Sequence, residues 1–147
     1  MRHPALLAAA VLVAIPAIAH AAGAGDEKLY KEGPISEVTY VKIKPGHFED
    51  YMKYLDTTFK RGCEINKKAG LVVSCAVYGA TARHPTEADL ILVTTYPNFA
   101  TLDQTAKFEE TAKQLEGTLA QQEKAFADRG EFREILGSEL VRELILK

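Results

Sequence analysis

The chain changes its hydrophobic period several times, and those changes outline its elements. From Ser36 to Lys44, "SEVTYVKIK" alternates, with Thr39, Val41 and Ile43 on one side and Val38, Tyr40 and Lys42 on the other. β-Branched and aromatic residues at period two predict a strand. Pro45 and Gly46 end it, because proline cannot donate to a ladder and glycine tolerates an unusual turn angle. Phe48 then opens a stripe of Phe48, Tyr51, Met52, Leu55, Phe59 and Cys63 at helical spacing. Glu49/Lys53, Asp56/Lys60 and Glu64/Lys68 are acid-before-base pairs four residues apart, and they mark the solvent side of that helix. Gly70 is its stop.

Leu71 to Gly79 ("LVVSCAVYG") predicts a second strand and Ala88 to Tyr96 ("ADLILVTTY") a third, separated by a loop around Pro85. Both are apolar on both faces, so both faces must be covered. Helices supply one cover, and a partner's sheet is the simplest source of the other. Pro97 ends the third strand and Asn98 can cap the next helix. Phe99, Leu102, Ala106, Ala112, Leu115, Leu119 and Phe126 keep helical spacing, with Gly117 a point of kinking or division. Ser138 to Lys147 ("SELVRELILK") alternates again and reads as a last strand. The order β-α-β-β-α-β places the chain in the α+β class, on the ferredoxin-like plan with an antiparallel sheet.

The first residues change the picture of where this domain resides. Arg2, the apolar run Leu6 to Ile18 and the small residues Ala19 and Ala21 have the layout of a cleaved secretory signal. The expected organisation is a signal peptide at 1–21, a flexible polar leader at 22–35 and one domain at 36–147. The expected location is periplasmic or secreted, with no membrane association once the signal is removed. Net charge over the 147 residues is −2, with no basic run, which argues against nucleic acid and suits a small apolar or aromatic ligand. The chain lacks CxxC, HExxH, GxSxG and P-loop motifs. His47 and His84, in separate segments, make no metal set, so no metal is expected. Cys63 and Cys75 lie on apolar faces. They form either a possible disulfide or two buried thiols, and apolar surroundings favour the thiols.

"VTYVKIKPGHFEDYMKYL", "LVVSCAVYG" and "ADLILVTTYPNFATLD" resemble the dimeric α+β barrel superfamily, typified by antibiotic-biosynthesis monooxygenase-like domains and their stress-responsive relatives. The resemblance implies a homodimer in which two sheets face one another and helices cover the outside. For function it implies a small-ligand-binding or stress-associated protein without proven catalysis, exported if the signal-like first residues act as one. A cofactor-independent monooxygenase of a quinol-like aromatic is the alternative, and a haem-binding or haem-degrading relative the third. Haem-degrading relatives typically use a tryptophan, which this chain lacks. No cofactor is expected.

Candidate chemistry falls on few residues. Tyr78 and Tyr96 on strands and His47 at the head of the first helix are the candidate catalytic groups. Whether the two tyrosines share a face depends on hairpin register, since a slip of one residue reverses every side chain. Arg142 shares a side with Leu140, Leu144 and Leu146, and a buried arginine must be paired. It is a candidate for holding a ligand's anionic or carbonyl group, or else bridges to Asp89 or to a glutamate across a dimer. Tyr40, Tyr51 and Asn98 complete the candidate ligand-binding set. Each also has a structural reading, as core, interface or helix cap.

Overall fold

The computed structural model describes residues 28–147. The expected signal, 1–21, and residues 22–27 of the expected leader lie outside the described residues. The elements are β1 (Tyr30–Ile43), α1 (Phe48–Tyr54), α2 (Lys60–Lys68), β2 (Ser74–Gly79), β3 (Leu90–Tyr96), α3 (Thr105–Glu116), α4 (Leu119–Arg129) and β4 (Arg133–Leu146). A π-helical turn, Leu55–Phe59, joins α1 to α2, and a 3-10 turn, Phe99–Asp103, precedes α3. The four strands form one antiparallel sheet in the order β2-β3-β1-β4. This is the ferredoxin-like arrangement expected from the hydrophobic periods.

Two strands are longer than their sequence suggests. β1 begins at Tyr30, inside the stretch read as a leader, because Tyr30, Lys31 and Glu32 pair with Leu146, Ile145 and Leu144. Gly33 and Pro34 look like loop residues, but they occupy a register shift between Glu32 and Ile35. An irregularity of that kind tolerates a residue with no N–H. β4 correspondingly starts at Arg133, five residues before Ser138, with a second shift opposite Tyr40/Val41. The long helical pattern from Phe99 to Phe126 divides at Gly117, whose φ of 86° suits only glycine. Thr118 and Gln121 then form a capping box for α4. Phe126 and Leu119, expected on the apolar stripe, are 60% and 70% exposed, and α4 contributes no buried residue. Phe48, expected to open the buried stripe of the first helix, is 49% exposed.

The helices pack on one face of the sheet. Two apolar clusters hold them there. One gathers Ile35, Leu71, Val72 and Tyr96, with Cys63, Cys75, Leu102 and Phe108 packed against it. The other gathers Val41, Tyr51, Leu55 and Leu90, with Met52, Phe59 and Phe132 around it. Cys63 on α2 and Cys75 on β2 are joined in a disulfide, their Cα atoms 6.2 Å apart. The favoured reading of two separate buried thiols is thereby corrected: the hairpin from α2 into β2 brings both sulfurs to the same seam. The opposite face of the sheet carries Val38, Tyr40, Ala76, Tyr78, Ile91, Val93 and Val141, and no helix of the described chain covers it.

Candidate functional site

Register decides which candidate residues meet. Tyr78 pairs with Ile91, and Ile91 with Tyr40, so Tyr40 and Tyr78 stand in one row on the open face. Tyr96 pairs with Ile35, which pairs with Arg142, so that row lies on the helix-covered face. Tyr78 and Tyr96 therefore do not share a pocket. Tyr51 joins the helix-covered side, fully buried against Val41 and Leu90.

Most of these side chains have partners. Tyr40 donates to Glu139 Oε1 at 2.7 Å. That hydrogen bond, with the glutamate's charge and some burial, raises its pKa. His47 Nδ1 lies 3.1 Å from Asp50 Oδ2, and its ring sits 5.7 Å from Phe132. Asn98 accepts from the Thr101 N–H, which is the work of a cap. Arg142 pairs with Glu32 of its own chain at 2.5 Å and covers the Phe99 ring at 4.6 Å. The expected bridge to Asp89 does not form. Asp89 instead receives Lys42 Nζ at 2.9 Å and the Ile43 N–H at 2.8 Å. Burial raises the Asp89 pKa, but these donors outweigh it and hold the carboxyl below its usual range.

A groove of about 430 Å³ opens between the helix layer and the edge strand β2. Met52, Leu55, Phe59, Cys63, Cys75 and Val77 give it an apolar lining, and Asp56, Lys60, Glu64 and Lys67 form a rim of both charge signs. Amphipathic spacing accounts for that division. The first helix turns its apolar stripe to the sheet, so its flanking acid and lysine residues fall at the groove's edge. The disulfide ties one wall to the other.

Sheet rows carry the floor inward. Cys75 is followed across the sheet by Thr94, Glu37 and Leu140, and Val77 by Leu92, Thr39 and Ser138. A band of polar side chains thus separates the two apolar clusters on the helix-covered face. Thr39 Oγ1 and Ser138 Oγ are 2.9 Å apart, and the Tyr96 hydroxyl donates to Glu37 Oε2 at 3.1 Å. Burial first, then the Glu37 charge and hydrogen bond, push the Tyr96 pKa far above its ordinary value, so this tyrosine holds its proton. Glu37 escaped attention in the sequence, although alternation already places it beside Thr39 and Val41. A carboxylate on the apolar side of a strand was the signal.

A second groove, about 460 Å³, lies on the open face between Tyr40, Ile91, Leu136 and the loop bearing Arg83 and Glu87. Among the described residues no three His, Cys, Asp or Glu side chains cluster to hold a metal ion.

Comparison with solved structures agrees with this geometry. HapK from Hahella chejuensis superposes with a TM-score of 0.50 at 10% identity, over 74% of this chain and 91% of that one. The fold is ferredoxin-like. A dimeric ferredoxin-like protein from an uncultured marine organism matches at a TM-score of 0.49 and 10% identity, over 80% of this chain and 90% of its own. A Shewanella loihica PV-4 protein, provisionally assigned as a monooxygenase, matches at 0.47 and 14% identity, over 77% and 96%. At such identities the likeness carries the fold alone, and nothing about chemistry. No protein-family model and no curated protein matches the chain.

Proposed function

We propose that the protein is an exported, homodimeric binding module that takes a small apolar ligand in the groove between its helices and β2. The observation that carries this reading is the composition of the groove, an apolar floor of Met, Leu, Phe and Val within a charged rim. A quinol oxygenase needs tyrosine, histidine or asparagine at the ligand, and none lines this groove. Tyr96, on the same helix-covered side of the sheet, already donates its hydroxyl hydrogen to Glu37. Binding without catalysis is the better account of these residues.

Export and dimerisation rest on separate supports. The Cys63–Cys75 disulfide fits an oxidising compartment, in keeping with the signal-like first residues. The open sheet face is apolar along three strands, and a second copy facing it would close the barrel.

A neutral apolar fluorophore, N-phenyl-1-naphthylamine, tests the groove. The expected result is saturable fluorescence enhancement that Val77→Asp weakens at least ~10-fold, because Val77 is a partly exposed floor residue and a charge there must be desolvated. Undiminished binding by a folded Val77→Asp variant would remove the groove from consideration. Oxygen consumption with a hydroquinone panel would restore the oxygenase reading.

A further inference from the structure

The groove between the helices and β2 has a direction as well as a volume. Met52, Leu55, Phe59 and Cys63 line its floor at spacings of three and four, and Asp56, Lys60, Glu64 and Lys67 follow the same spacing along its rim. Both rows run along the unbroken helical stretch from Phe48 to Lys68. From Met52 to Lys67 the helix axis advances roughly 20 Å. An apolar trough of that length matches an extended hydrocarbon chain better than a compact ring. The π-helical turn Leu55–Phe59 lies within it, and such turns recur at functional sites.

The two ends of the trough differ. The Cys63–Cys75 bond crosses it. Phe59 and Val77 lie on one side of that bond, with Leu55 and Met52 beyond, and Lys67 and Ser74 lie on the other, where the chain turns from α2 into β2. Asp56 and Lys60 pair with each other at 3.4 Å. Among the described residues no carboxylate forms an ion pair with Lys67, which is exposed. Glu64, the remaining rim acid, is followed along the helix by both Lys67 and Lys68, so two ammonium groups counter its charge. The negative end of the α2 dipole is answered by Lys68 and by Lys107 of α3, whose ammonium donates to the Ala69 carbonyl at 3.4 Å. Lys67 is the positive charge left over at the polar end of an apolar trough.

We propose that the groove takes an unbranched alkyl monocarboxylate, a fatty-acid-like chain lying along Met52, Leu55 and Phe59 with its carboxylate at Lys67. This rests on the reading of the groove as an apolar ligand site, and it adds the shape and charge of the ligand. The chain supplies most of the affinity, because every methylene taken out of water contributes. The exposed ammonium contributes less and selects the head group.

Displacement of N-phenyl-1-naphthylamine from the full chain, at neutral pH and low salt, is the test. Decanoate is expected to compete at least ~10-fold more tightly than decylammonium, which has the same chain and the opposite charge. It should exceed hexanoate, with the same head and a shorter chain, by at least ~10-fold as well. Lys67→Gln is expected to weaken decanoate by ~3-fold or more, the scale of one exposed ion pair, and to leave the fluorophore's own affinity unchanged. Lys53→Gln, on the solvent side of the first helix, should alter neither. Equal competition by decanoate and decylammonium, or undiminished decanoate binding by Lys67→Gln, overturns the carboxylate assignment and leaves the groove an apolar site. Hexanoate as effective as decanoate overturns the extended chain. A fluorophore that does not bind the native protein removes the groove and this ligand together.

Discussion

The Tyr96 hydroxyl donates to Glu37 Oε2 at 3.1 Å, from β3 to the neighbouring β1 and on the side of the sheet that the helices cover. Tyr96 also meets Phe108 edge to face, with ring centres 6.2 Å apart, so its orientation is fixed from two directions. The pair lets a half-buried carboxylate stand between two apolar clusters.

Removing the hydroxyl leaves that carboxylate without its donor. Tyr96→Phe is expected to destabilise the fold by about 1–2 kcal/mol, measured by urea unfolding at pH 7. Glu37→Gln keeps an acceptor and is expected to cost less. The pH dependence has a definite sign. Because the folded pKa of Tyr96 is raised, its contribution is complete below the unfolded value of ~10 and is lost as pH climbs from there toward the folded value. The native protein should therefore lose stability more steeply above pH ~10 than Tyr96→Phe does. Parallel alkaline curves would show that the hydroxyl is not the responsible group.

The disulfide makes a second prediction. Cys63 and Cys75 are 12 residues apart in sequence, and their bond holds α2 to the edge strand β2. A closed loop of that length is expected to stabilise by about 3 kcal/mol, chiefly by restricting the unfolded chain. Unfolding midpoints with and without dithiothreitol, compared with Cys63→Ala/Cys75→Ala, check it. The reductant should affect the native chain and leave the double variant unmoved.

Much of this fold was legible because strand and helix leave different periods in the sequence. "SEVTYVKIK" and "FEDYMKYL" declare themselves, and the six charged residues placed on the solvent side of the first helix are all exposed. The illegible parts depend on distant partners. Gly33 and Pro34 read as loop until Leu144 and Arg142 are known to flank a register shift opposite them. Tyr78 and Tyr96 look alike in sequence, and only the pairing of Ile91 with Tyr78 and of Ile35 with Tyr96 sends them to opposite faces. Arg133 fell between the helical pattern that ends at Phe126 and the strand read from Ser138, so no face was assigned to it. Glu37 is the instructive omission, since alternation alone would have exposed it.

Close approach of helices supplies a third prediction. Gly62 is buried on α2, and a Cβ there would lie 2.9 Å from Leu115 Cδ2 of α3. Glycine normally weakens a helix interior, so on propensity alone Gly62→Ala would stabilise by about 1 kcal/mol. The contact offsets part of that gain, because the Leu115 methyl, at the end of a partly exposed side chain, must swing aside. Gly62→Ala is therefore expected to raise the melting temperature by less than propensity alone would give, and the same substitution in a Leu115→Ala background to stabilise more than it does in the native chain. A Gly62→Ala protein less stable than the native chain would mean that the leucine cannot move.

The open face of the sheet decides the oligomeric state. Val93 stands in its middle row, between Val38 on β1 and Ala76 on β2, with Tyr78 56% and Val141 42% exposed on the same face. A face of this kind is expected to pair with its own copy through a two-fold axis, so each residue lies near its symmetry mate. Size-exclusion with light scattering should then find a dimer at micromolar concentration. Val93→Lys would place two like charges in the desolvated centre of that interface, a penalty of several kcal/mol, and should give a monomer that keeps the native circular dichroism. The variant is expected to keep its fold because Val93 points away from both apolar clusters that hold the helices. A native chain that elutes as a monomer would leave the apolar sheet face to some other cover, and the homodimer would be abandoned.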